Sequence, residues 1–178
     1  MTIVLWLLLV QGVIGAFDTL WFHEYRARLV AVPSARRELW IHGARSMIYG
    51  VLFGTLPWVA WRGALAWALA ALIAAEIALT IADFIVEDRA RAPLGGVFAG
   101  ERATHTVMAI IYGAMLAHLV PVMFRWWLVP TAFAPAGPYL PQWAGWAFIA
   151  MAAGVVASGA RDLYAAAGLR HGGWPYAR

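Results

Sequence analysis

Residues 36–49 read RRELWIHGARSMIY, and residues 99–112 read AGERATHTVMAIIY. Glu38 and His42 stand four apart, as do Glu101 and His105. Side chains four apart on a helix share one face, one turn from each other. Each stretch therefore presents a carboxylate beside an imidazole. Arg45 and Tyr49 extend the first stripe, because 42, 45 and 49 step by three and by four. Both stretches run on into apolar sequence. An ionisable group at membrane depth is costly and marks a functional-site hypothesis.

The rest of the chain supports a membrane reading. It has 178 residues, is 63% hydrophobic and 12% charged, and has a mean hydropathy of +0.72. Water-soluble domains do not have that balance. A bilayer-spanning helix needs about 20 mostly apolar residues. Five stretches qualify, at 2–25, 37–61, 64–88, 102–127 and 142–162. They leave almost nothing for a separate soluble domain, so 1–178 reads as a single transmembrane domain. The expected fold is an all-α integral membrane protein with five transmembrane helices. The first four form a bundle with a polar core. The fifth, with Gly154 and Ser158 on a small-x-x-x-small face, is peripheral and suited to close packing or homodimerisation.

Charge sets the expected orientation. All 13 basic residues are arginine. Arg26, Arg28, Arg36 and Arg37 fill the first connection, Arg89, Arg91 and Arg102 the third, and Arg161, Arg170 and Arg178 the tail. The second connection holds only Arg62, and the fourth little beyond Arg125. With the N-terminus outside and the C-terminus in the cytoplasm, every arginine-rich segment lies inside. No basic region precedes the first apolar run, which reads as a retained helix rather than a cleaved signal. A bacterial inner membrane is the expected location. The pI of about 10 is thereby explained by topology, with no nucleic-acid partner. The absence of cysteine excludes disulfides, thiolate ligands and Cys-ligated clusters.

The connections carry further expectations. Pro57 to Gly63 reads as a tight turn joining antiparallel neighbours. Pro33 and Ser34 open the second helix, with Ser34 as its cap. The fourth connection, with Pro130, Pro135, Pro138 and Pro141, is the longest and least regular.

The polar residues converge at one depth. Asp18, His23 and Glu24 end the first stretch, and Gln11 shares a face with Asp18. Because they are adjacent, His23 and Glu24 cannot both face inward on a regular helix. Glu76, Thr80, Asp83 and Glu87 form one stripe on the third stretch. With Glu38, His42, Glu101 and His105, four helices bring acids and imidazoles to one leaflet, where they must face each other. Clustered carboxylates repel, and Arg45 alone cannot neutralise them. Carboxylates mixed with imidazoles suit two divalent metal ions, iron first, then manganese or zinc. His118 and His171 fall away from this set.

The pattern resembles the dimetal-carboxylate four-helix bundles, where two helices give a Glu each and two give a Glu-His pair. The membrane-bound alternative oxidases are similar in general plan. Their spacing is Glu-x-x-His, whereas this chain has Glu-x-x-x-His. The resemblance concerns the site pattern alone. The expected metal ligands are Asp18, Glu24, Glu38, His42, Asp83, Glu87, Glu101 and His105, with Arg45 orienting ligands and Glu76 handling protons. The expected function is a metal-dependent oxidoreductase acting on a hydrophobic small molecule drawn from membrane lipid. The alternatives are a b-type haem protein clamped by His42 and His105, a proton or metal-ion transporter, and a metal-free lipid isomerase or cyclase.

Overall fold

A computed structural model describes residues 1–176; Arg178, counted above in the basic tail, lies outside them. The first apolar run forms α1, Thr2–Asp18, and continues without a break as a π-helical segment, Thr19–Ala27. Arg28, in the left-handed region at φ 52°, ends it. Two short 3-10 turns lead into α2, Arg36–Thr55. Strand β1 is Val59–Arg62, α3 Ala64–Ala90, α4 Ala99–Trp127, β2 Ala132–Pro135 and α5 Gln142–Ala166. Gly63 makes the bend from β1 into α3 at φ 58°, where a side chain would strike the Thr131 backbone.

Two expectations about connections change. The second and fourth connections are joined in an antiparallel ribbon, with Ala60 opposite Ala134 and Trp61 opposite Phe133. A purely helical pattern had no place for it. Ser34 does not cap α2. Its hydroxyl donates to the Ala90 carbonyl at 2.8 Å, tying the start of α2 to the end of α3.

Four helices are long and apolar enough to cross a membrane: Thr2–Ala27, α3, α4 and α5. The expected fifth, α2, falls short in apolar character because its 20 residues include Arg36, Arg37, Glu38, His42 and Arg45. Large apolar side chains cover the outside, among them Ile85, Ile110, Leu20 and Trp143. Exposed apolar surface on that scale marks a membrane or partner contact. It is compatible with a multi-pass membrane protein.

The interior has two characters. Toward the ribbon it is apolar and closed. Leu5, Leu8, Leu52, Leu56, Leu69, Met115, Leu119 and Phe148 are fully buried in one cluster. At the opposite end, where the first and third connections lie, the buried side chains include Asp18, Glu38, His42, Asp83, Glu87, Arg91 and Glu101. A smaller apolar cluster of Ala27, Leu29, Val30, Ala35 and Leu39 with Ala165 and Ala166 lies beyond them, flanked by Leu94 and Phe98.

Helix α5 is not peripheral. It lies along α2, and Ala144 and Phe148 belong to the main core. The two backbones nearly touch: a side-chain carbon on Gly43 would lie 3.0 Å from the Gly159 carbonyl, and one on Gly159 3.1 Å from the Gly43 carbonyl. Small residues allow helices this approach. Gly154, the residue expected to make the contact, faces open space.

Candidate metal centre

Two groups of three side chains have donor atoms close enough to share an ion: Asp18, His23 and His105, and Glu38, His42 and Asp83. Within each group the donor atoms all lie within 4.8 Å of one another. Asp18 Oδ2 sits between His105 Nε2 at 3.2 Å and His23 Nε2 at 3.3 Å. His42 Nε2 lies 3.1 Å from Asp83 Oδ2 and 3.8 Å from Glu38 Oε1. Donors bound to one ion at about 2.1 Å are separated by about 3.0–3.4 Å, the edge of a tetrahedron or octahedron. The spacings of 3.1–3.3 Å fall in that range, and the Glu38 contact at 3.8 Å is longer.

The two groups are neighbours. The His23 and His42 rings stack with centroids 4.6 Å apart and planes 8° apart. Two further carboxylates border the first group: Glu101 Oε1 lies 3.1 Å from His23 Nε2, and Glu87 Oε2 3.8 Å from His105 Nδ1.

The π-helical segment is what brings His23 in. A π turn aligns residues five apart, the spacing of Asp18 and His23. His23 thus turns inward over Asp18, and Glu24 turns away to pair with Arg161 of α5. The structure therefore gathers Asp18, Glu38, His42, Asp83, Glu87, Glu101 and His105, and leaves Glu24 outside. Reasoning from regular helical spacing passed over His23. The five-residue interval to Asp18 was its only trace in the sequence.

Arg91 was also missed. It is the first residue after α3 and is completely buried. Its guanidinium donates to Glu38 at 2.7 and 2.8 Å and to Glu101 Oε1 at 2.9 Å. Burial works against its charge, but the Glu38 hydrogen bonds and the charges on Glu38 and Glu101 outweigh that and hold its pKa above the ordinary value. A fork shared between two carboxylates fixes both in place. Its position in a run with Arg89 and Asp88 made it look like a surface residue.

Behind the two groups lies a second polar layer. Gln11, Tyr49, Glu76 and Tyr112 each stand seven residues from Asp18, His42, Asp83 and His105 respectively. Seven residues are two turns, about 10 Å along a helix, and in every case the step leads away from the connections. Arg45 links the layers, donating to Asp83 Oδ2 at 2.9 Å and to Glu76 Oε1 at 3.3 Å. The Thr80 hydroxyl donates to Glu76 at 2.8 Å.

The charge balance limits what the centre can be. Asp18, Glu38, Glu76, Asp83, Glu87, Glu101 and Asp162 are seven buried acids, facing the two guanidinium groups of Arg45 and Arg91. Ionised carboxylates are not tolerated in a low-dielectric interior without compensation. Five negative charges therefore remain to be met by metal ions, by protonated imidazoles or by protons on the acids. Several donor atoms also lack hydrogen bonds: Asp18 Oδ1, Asp83 Oδ1 and His105 Nδ1 are buried without one. Asp162 of α5 is buried within electrostatic reach of His42 and His23, an acid the sequence reading did not assign to the site.

No protein-family model matches this chain, and no curated protein or solved structure matches it either.

Proposed function

We propose that the chain is an integral membrane protein whose first four helices hold two divalent metal ions, and that it is an oxidoreductase acting on a lipid-soluble substrate such as a quinol, a fatty chain or an isoprenoid. The observation that carries this reading is the pair of adjoining buried triads, Asp18/His23/His105 and Glu38/His42/Asp83. Two divalent ions would also offset most of the excess negative charge. Iron suits such an oxygen-and-nitrogen set best, with manganese and zinc next. Ions bound there would supply Lewis acidity and redox chemistry.

The chain's own residues have separate tasks. Arg91 holds Glu38 and Glu101 in position, and Arg45 orients Asp83. Glu76, held by Thr80 and Arg45, stores and passes protons. The apolar cluster around Leu29 and Leu39 excludes bulk water from the connection side. On this reading the arginine-rich connections face the cytoplasm of a bacterial inner membrane and the N-terminus lies outside. The open Gly154 face of α5 remains the surface for a homodimer.

The hydrogen bonds from His42 to Asp83 and from His105 to Asp18 favour a second reading, a metal-free acid–base isomerase or cyclase in which the imidazoles carry the balancing protons. The same contacts disfavour a haem clamp, because both histidines are engaged by carboxylates.

Elemental analysis and an absorption spectrum of the purified protein separate these readings. The expected result is about two metal ions per chain. His42→Ala and His105→Ala lie in different triads, so each removes about one. Folded protein that neither carries nor takes up iron, manganese or zinc overturns the metal reading.

A further inference from the structure

Charge is unevenly placed along the bundle. All nine acidic residues lie at the depth of Glu76 or nearer the end where the first and third connections lie. The ribbon end has no acid, yet it carries Arg62 and Arg125. At that end a cavity of about 390 Å³ lies between the start of α1 and the last turns of α4. His118, Pro121 and Arg125 of α4 line it, with Thr2, Ile3 and Val4 of α1 opposite. His118 and Arg125 are both exposed. Among the described residues, neither has an ion-pair partner. The lining holds no carboxylate and no Phe, Tyr or Trp.

The cavity opens on the apolar outside of the bundle. Ile3 lines it, and Val120 and Phe124 stand beside it on α4; all three are exposed. Trp126 and Trp127 directly follow Arg125, and tryptophan favours the boundary between hydrocarbon and headgroups. Arg125 therefore stands at headgroup level. His118 is seven residues away on the same face, about 10 Å deeper. Both side chains lean the same way along the helix, so that interval persists. A guanidinium fork binds phosphate oxygens, and an imidazole has an N–H to donate in either protonation state. A free phosphate ion is smaller than the interval and leaves one of the two unused. A phospholipid in the bilayer presents its phosphate outermost, then its ester carbonyls, then its chains. Arg125, His118 and the apolar wall follow one another in that order. A choline or ethanolamine head would add a cation, and the lining has neither a carboxylate nor an aromatic face to receive it.

We propose that this cavity binds the headgroup of an anionic glycerophospholipid from the leaflet on the ribbon side, with its phosphate on Arg125 and an ester carbonyl on His118. The bound lipid packs against both α1 and α4, at the end of the bundle opposite the metal centre. The proposal goes beyond the metal-dependent reading and rests only on the chain spanning a membrane.

The test uses the full-length protein in nanodiscs made of equal parts phosphatidylglycerol and phosphatidylcholine with matched chains. Each lipid in turn carries a photoreactive diazirine close to its ester. Phosphatidylglycerol is expected to label residues 1–4 and 117–125 about fivefold more than phosphatidylcholine, the scale of one arginine facing an anionic head. Arg125→Gln combined with His118→Leu should remove that preference. Both side chains are exposed, so folding is not at stake. Arg62→Gln, which removes the ribbon-end arginine outside the cavity, should leave the preference intact. Ala117→Trp fills the cavity from an exposed position and should abolish the labelling there. Glycerol phosphate in the aqueous phase should not compete. Equal labelling by the two lipids overturns the proposal, as does a preference that survives the double variant or Ala117→Trp. Competition by glycerol phosphate also overturns it, because the site would then take a soluble phosphate ester. A protein that does not enter nanodiscs at all sinks the membrane reading and the lipid site together. One that enters them and takes up metal without preferring phosphatidylglycerol sinks the lipid site alone.

Discussion

Asp18 and His23 stand five residues apart, and that interval decides which of two adjacent residues enters the centre. On a regular α-helix a five-residue step rotates the side chain well off the face, and Glu24 would be as good a candidate as His23. The π-helical segment reverses that choice. His23 joins Asp18 and Glu101, and Glu24 pairs with Arg161. The two positions should therefore respond differently. His23→Ala should remove about one ion per chain, as is expected of His105→Ala in the same triad, measured by titration of stripped protein. Glu24→Gln should leave metal stoichiometry unchanged and cost about 1 kcal/mol or less, because its ion pair is partly open to solvent. Loss of metal in Glu24→Gln would restore Glu24 as a ligand. Of the expected ligands, Glu38, His42, Glu101 and His105 were legible because four-residue spacing on an apolar helix has one simple reading. His23 and Arg91 were not, since one depends on a local change of helical pitch and the other on a loop folding back under the bundle.

At the scale of elements, the contact between α2 and α5 brings Asp162 to the histidines and is made by glycine against glycine. Gly159→Val should destabilise the protein by about 1–3 kcal/mol, as overpacking does, because the new side chain meets Ser46 and the Gly43 carbonyl. Gly154→Val is the control. It faces open space and should stay within about 0.5 kcal/mol. Thermal melts in detergent compare the two. If Gly154→Val proves the more damaging, α5 packs through the face first expected. The sequence reading singled out the Gly154/Ser158 face, whereas the close contact is at Gly159, because helical periodicity does not say which face meets a neighbour. Strands β1 and β2 show the same limit, since their pairing joins segments about seventy residues apart whose proline content suggested irregular loops.

At the scale of the molecule, the polar layers open toward one end and stop at an apolar plug. Leu5, Leu8, Leu52, Leu56, Leu69, Met115 and Leu119 close the interior on the ribbon side, and all are fully buried. An ion crossing that layer would have to shed its hydration with no polar group to replace it. The expected result is no proton, iron or manganese flux above the protein-free background in liposomes containing the purified protein. Flux abolished by Glu76→Gln would make the chain a transporter and its acids a pathway. Much of this could be anticipated from composition and periodicity alone: the predominance of apolar helices, the arginine-rich connections, and a set of acids and imidazoles at a common depth. Those follow from local rules, the length of an apolar run and the pitch of a helix. Which imidazole turns inward, which arginine neutralises which pair of acids, and which face of α5 meets α2 all depend on contacts between segments distant in the chain. Local spacing carries no record of such contacts, and packing alone selects among them.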